Sequence, residues 1–159
     1  MNIDVLAVGR LREPFYRDAA AEYVKRLSRY AKVRICEAEE VRKPETISDA
    51  LARQILEGEA ERLRKFYRNG AYRIALAIDG KAYDSVAFSE KLGEIMLSGR
   101  DTVQFLIGGA IGLDETLLRE ADLRVSFSKM TFPHQLMRVI LLEQTYRAFR
   151  ILRGEPYHK

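Results

Sequence analysis

The chain has 159 residues, is 47% hydrophobic and carries a formal net charge of +4, which suits one well-buried core and is too little for two comfortable domains. The only cysteine, Cys36, excludes an internal disulfide and a multi-cysteine metal site, and no apolar run approaches the roughly 18 residues a membrane span requires. We expect one domain over residues 1–159, soluble and cytoplasmic, since the stretch from Met1 to Gly9 is too short and, at Asp4, too acidic for a signal peptide.

The charge is unevenly placed. Residues 1–36 and 124–159 are net basic, by +4 and +5, whereas residues 37–123 are net acidic by −5. If the two ends meet they form a positive surface suited to a phosphate backbone; scattered solubilising charge is the alternative.

In chain order, Asn2 to Gly9 is apolar and β-branched and reads as a strand, and Glu13 to Tyr30 has helical spacing through Tyr16, Ala19, Ala20, Tyr23 and Leu27. Val33 to Glu39 is a second strand, with Cys36 expected to be a small buried hydrophobe. Pro44 and Ser48 open a charged helix to about Tyr67, and Tyr72 to Ile78 is a third strand, closed by an Asp79-Gly80 turn. Asp84 or Ser85 caps a helix ending near Gly99, Val103 to Ile107 is a fourth strand, and Asp114 caps a short helix to Glu120. Leu123 to Phe127 is a fifth strand, and Pro133 begins the last helix. Strands alternating with helices predict an α/β layered fold with a largely parallel sheet of five or six strands. Ligands bind such sheets beyond the carboxyl ends of the strands, here after Ile78, Ile107 and Phe127.

Three segments carry chemistry. Gly108-Gly109-Ala110-Ile111-Gly112 allows close approach of backbone to a ligand, although its spacing is not that of a dinucleotide fingerprint and a tight turn into the next helix fits it equally well. Phe127 to Phe132 alternates aromatics with hydroxyls and Lys129, suited to bracketing a flat ring, or else to an ordinary packed connection. The last helix is apolar on every side at Val139 to Leu142, which predicts a subunit interface, and it bears an Arg147, Arg150 and Arg153 stripe with Glu143 one turn before Arg147. His134, in the first turn of that helix, is expected to be neutral and either structural or capping, because the positive helix end disfavours imidazolium.

The segments Leu106 to Gly109 with Gly112-Leu113, then Ser126 to Arg138 (SFSKMTFPHQLMR), then Glu143-Gln144 with Tyr146-Arg147-Ala148, and the terminal Pro156-Tyr157-His158-Lys159 closely resemble the bacterial large-subunit ribosomal RNA pseudouridine-N3 methyltransferases, a branch of the SPOUT superfamily. Leu6 to Arg10 and the Glu22 to Leu27 helix agree as well, so the resemblance covers the whole chain. It implies a deep trefoil knot in the C-terminal part, with knot and donor site within about residues 72–159. It also implies a homodimer, S-adenosylmethionine as methyl donor, and a pseudouridine of 23S ribosomal RNA as acceptor. Carried over, the donor site comprises Leu76, Gly108, Phe127, Ser128, Lys129, Met130, Thr131 and Phe132. The imide nitrogen of the acceptor must lose a proton, so a base or a cation belongs nearby. His158 with Tyr157 are the candidates, acting in the partner's pocket, with Lys129 as the alternative charge. Arg10, Arg147, Arg150 and Arg153 are assigned to RNA phosphates. No metal is called for. A cofactor-free RNA-binding assembly factor and a nucleotide-using enzyme are the competing classes; the first predicts no response to S-adenosylmethionine, and the second lacks both common phosphate signatures.

Overall fold

The structure, a computed structural model, describes residues 1–159. Five strands, β1 (Asn2–Val8), β2 (Lys32–Ala38), β3 (Tyr72–Ala82), β4 (Thr102–Ile107) and β5 (Leu123–Ser126), form one sheet in the order β2-β1-β4-β3-β5. Every pairing is parallel. The helices are α1 (Pro14–Leu27), α2 (Asp49–Arg64), α3 (Ser85–Leu97), α4 (Glu115–Glu120) and α5 (His134–Leu152).

The period-2 alternation of the strands sorts the core into two layers. Ile3, Val5 and Ala7 of β1 with Val103, Phe105 and Ile107 of β4 pack under α1, α3 and α5 through Ala20, Leu92, Leu142 and Phe149. Leu6, Val8, Cys36 and Leu106 face the opposite side, where Ala60 and Leu63 of α2 and Leu117 of α4 cover them. Cys36 is therefore the small buried hydrophobe its surroundings predicted. Asp4 breaks the apolar pattern. It is fully buried on the α2 face, where Arg34, Arg68 and Gln104 satisfy it at 2.9–3.0 Å, and removing one side of such a group costs about 3–5 kcal/mol.

The helices start where hydroxyl or carboxylate caps allow. Ser48 accepts from the Leu51 amide, Asp84 from Ala87 and Asp114 from Thr116, each contributing about 1 kcal/mol. The third strand differs from the sequence expectation. Asp79-Gly80 does not end it; β3 continues to Ala82 and re-pairs with β5 after a register shift between Leu76 and Lys81. Gly80 makes this possible, because a Cβ there would lie 2.7 Å from the Val125 carbonyl carbon. The bulge leaves Leu76, Ala77 and Ile78 at the rim of the sheet, beside the ends of β4 and β5.

α1 and α5 run side by side on one face. The Arg12 amide donates to Gln135 Oε1 at 3.0 Å at their first turns, and Tyr30 stacks on Phe149 near their ends, with ring centroids 5.6 Å apart. The α5 run from Val139 to Leu142 splits: Leu141 and Leu142 are fully buried within their own subunit, while Val139 and Ile140 are only partly covered. Apolar residues on all sides of that turn are thus explained in half by the protein's own core.

Candidate active site

Three chain segments meet beyond the carboxyl ends of β3, β4 and β5 and enclose a cavity of about 140 Å³. Leu76 to Ile78 form one wall, Ile107 to Gly109 with Gly112 and Leu113 form the floor, and Phe127, Ser128, Met130, Thr131 and Phe132 form the opposite wall. His134 and Met137, in the first turn of α5, close one end. Of the eight residues carried over as donor-binding, seven line this cavity; Lys129 is exposed and lies outside the lining.

The loop after β4 is folded on itself. A Cβ on Gly108 would lie 2.4 Å from the Gly112 carbonyl, and Gly112 has φ +88°, a region other residues rarely enter. The backbone of Gly109 bridges that of Gly112, whose amide donates to the Gly109 carbonyl at 3.1 Å. On the facing wall the Ser126 hydroxyl donates to the Ser128 carbonyl at 3.1 Å, and the Ser128 hydroxyl accepts from the Met130 amide at 2.9 Å. These local bonds fix the conformation of the wall. Apolar walls with a few backbone donors and acceptors suit a flat heterocycle. The chemistry of the lining therefore fits the adenosyl part of S-adenosylmethionine, and the glycine backbone supplies the close approach such a group requires.

Beside the cavity lies a charged shelf. Arg138, 1% exposed, donates to the Gly9 carbonyl at 3.0 Å and faces Glu37 at 3.5 Å. Burial lowers its pKa, opposed by Glu37. Burial also lowers the pKa of His134, with Glu40 opposing, which favours the neutral imidazole; the residue makes no helix-cap bond and lines the cavity instead. Neither the burial of Arg138 nor its grip on Gly9 was legible beforehand, because an arginine in an amphipathic helix reads as surface.

The tail lies elsewhere. Glu155 to Lys159 fold back along α5, where the Tyr157 hydroxyl donates to Glu143 Oε1 at 3.1 Å and Arg147 donates to the same oxygen through Nε at 3.0 Å. Arg147 Nη1 also donates to His158 Nδ1, 3.2 Å away, which places the imidazole proton on Nε2. Burial, followed by hydrogen bonds with Tyr23 and Glu143, pushes the Tyr157 pKa up to about 12, so this phenol holds its proton at neutral pH. Glu143 is the hub of the tail, a role the sequence disclosed only as a partner for Arg147. Arg150 is turned inward onto Glu155, the Tyr30 hydroxyl and the Pro156 carbonyl. Arg10 and Arg153 are exposed. Arg147 is ten residues beyond Met137, about 15 Å along α5 at 1.5 Å per residue, and neither His158 nor Tyr157 is among the residues lining the cavity of its own subunit.

Comparison with known proteins agrees with this architecture. A solved structure described as a "probable methylase family protein" from Haemophilus influenzae superposes with a TM-score of 0.57 at 12% identity, covering 99% of this chain and 70% of that one, a likeness of fold. Proteins named ribosomal RNA large subunit methyltransferase H are 52% identical in Bifidobacterium adolescentis and 48% identical in Listeria monocytogenes, each over 159 residues and the full length of both chains. The family model described as "Predicted SPOUT methyltransferase" matches residues 1–158. With the layered parallel sheet, the glycine loop and the full-length identity in agreement, the chain belongs to the SPOUT methyltransferase family.

Proposed function

We propose that the protein transfers a methyl group from S-adenosylmethionine to N3 of a pseudouridine in 23S ribosomal RNA, working as a cytoplasmic homodimer on the large subunit or the 70S ribosome. The observation that carries this reading is the convergence of Leu76, Gly108, Phe127, Ser128 and Met130 to Phe132 on one apolar cavity with a glycine-loop floor, in a chain about half identical to relatives bearing the ribosomal RNA methyltransferase name. The knotted path implied by the resemblance is part of the proposal. It is supported by residues 127–132, which lie against both the β3 and the β4 termini before α5 returns to pack on α1 and α3.

When bound, the donor supplies an electrophilic methyl group on a sulfonium. The chain's own task is alignment and proton management. The walls formed by Leu76, Phe127 and Phe132 exclude water, and the main chain at Gly108 and Thr131 orients the heterocycle. His134 stands neutral at the end of the cavity. The acceptor proton falls to the tail of the partner subunit, because His158 and Tyr157 of the same subunit are not among the residues lining its cavity. Two copies of α5 packed antiparallel about Ile140 bring Arg147 of one beside Pro133 of the other, which carries His158 and Tyr157 to the cavity mouth. A protonated Tyr157 there is a hydrogen-bond donor to the acceptor base, while Arg147 stabilises its developing anion. His158 acts as base once Nδ1 is released from Arg147. Arg10 and Arg153 are free to meet RNA phosphates, whereas Arg150 secures the tail.

Calorimetric titration with S-adenosylmethionine, followed by transfer of labelled methyl groups to ribosomes lacking the modification, tests the reading. Binding and incorporation at a pseudouridine are expected. Absence of donor binding would leave the RNA-binding assembly factor.

A further inference from the structure

The glycine loop has a second side, away from the cavity, and it rests on a buried charge. Glu59, on α2, is 2% exposed, in a helix whose other buried residues are apolar. Its Oε2 accepts from the Val41 amide at 3.3 Å and faces Lys43 Nζ at 3.6 Å. Its Oε1 is enclosed and has no hydrogen-bond partner. A Cβ built on Gly109 would lie 3.7 Å from that oxygen and 3.1 Å from Val8 Cγ1, so the loop at Gly109 packs closely against both the Glu59 carboxylate and β1.

A buried carboxylate with one idle oxygen is costly to keep. An apolar side chain in its place would complete the layer already built by Ala60 and Leu63. The neighbourhood indicates what the carboxylate does. Lys43, itself largely buried, also pairs with Glu40 at 3.1 Å, and Glu40 lies beside Gly9 and His134. One ion-paired group thus joins the segment after β2, the end of β1, and the back of the glycine loop.

We propose that Glu59 is a positioning residue for the methyl-donor site: with Lys43 it holds the Gly108–Gly112 loop in the conformation that presents its backbone to the donor. This rests on the donor site proposed above. The Glu59 carboxylate is not part of the cavity lining; it acts through Gly109, and its partners Val41 and Lys43 tie it to the segment after β2.

The test uses the full-length protein. Glu59→Gln keeps the shape but sets an amide donor against Lys43, and Lys43→Met removes the pair from the other side without altering α2. Both are expected to weaken S-adenosylmethionine binding about tenfold by calorimetry, with turnover at saturating donor changed by less than about twofold. Amide exchange at residues 108–112 of the donor-free proteins should be faster than in the wild type. Arg64→Ala is the structural control. It removes the Arg64 bonds to Glu120 and Thr116 at 2.8 and 2.7 Å on the same helix, and at a comparable fall in melting temperature it should leave affinity and loop exchange unchanged. Equal losses in the control, or unchanged exchange in the loop of both test variants, overturn the assignment. A wild-type protein that binds no donor refutes the donor site instead, and loop exchange then still decides the role of Glu59. If Glu59→Gln does not fold, the affinity and loop exchange of Lys43→Met decide the matter.

Discussion

The two histidines lie in regions that solve different problems. His134 belongs to a cavity made of backbone and apolar walls within one subunit, and burial keeps it neutral. His158 belongs to a charged, exposed tail whose groups satisfy one another through Glu143 and Arg147. The cavity has shape and a single imidazole, His134, in its lining; the tail gathers His158, Tyr157 and Arg147 around Glu143. In the proposed mechanism, donor binding belongs to the fold of one chain, while proton handling is carried on an appendage that reaches the cavity of a second subunit.

The sharpest way to break this division is at the floor of the cavity. In Gly108→Val the side chain would overlap the Gly112 backbone, where even a Cβ comes within 2.4 Å. Calorimetry should detect no donor binding, a loss of at least about 100-fold, while light scattering still reports a dimer. Retained affinity would show that the loop does not seat the donor.

At the other region, His158→Ala should retain donor affinity and fold while methyl transfer to ribosomes falls by about 10²- to 10⁴-fold, the range of a lost acid–base group. Refolding it together with Gly108→Val should recover up to about a quarter of wild-type activity, since half the dimers would be mixed and each would hold one intact site. Mixed dimers without activity would place the tail's action within its own subunit.

The link between the regions is tested on α5. Ile140→Asp should dissociate the dimer, removing a contact of about 1.5–3 kcal/mol per subunit, and should lose transfer while keeping its circular dichroism. Leu141→Asp, one residue on, introduces a charge where exposure is 0% and should lose the fold itself. A stable, active dimer of Ile140→Asp would move the interface off this face.

The smallest effect concerns acid stability. The folded-state pKa of His134 is depressed below its usual value. The unfolded chain therefore takes up the proton first as pH falls, and stability is lost across the window below the ordinary histidine value. His134→Gln should flatten that part of the stability curve in denaturant titrations at a series of pH values. An unchanged slope would show that the imidazole is not held neutral by burial.

Much of this molecule was legible in the chain. Alternating apolar runs marked the five strands, and Ser48, Asp84 and Asp114 marked the helix starts, because capping is a local matter of one side chain and the next few amides. The cavity was legible for a related reason: its walls are contiguous segments at strand ends, and parallel topology gathers strand ends on one edge. The strand running through Asp79-Gly80 was not, because a glycine that ends a strand and a glycine that lets β5 approach are the same residue in a sequence. Leu141 likewise reads no differently from Ile140.

The sequence alone thus determined the α/β class, the segments that line the cavity and the family, since each depends on periodicity or on motifs a few residues long. Only the tertiary structure decided that Arg138 and Glu59 are buried, that Arg150 serves the tail, and that His158 is tied to Arg147, outside the cavity lining. The reason is that burial and distance are set by which helices cover which face of the sheet, through residues more than a hundred positions apart, such as Arg12 with Gln135 and Gly9 with Arg138.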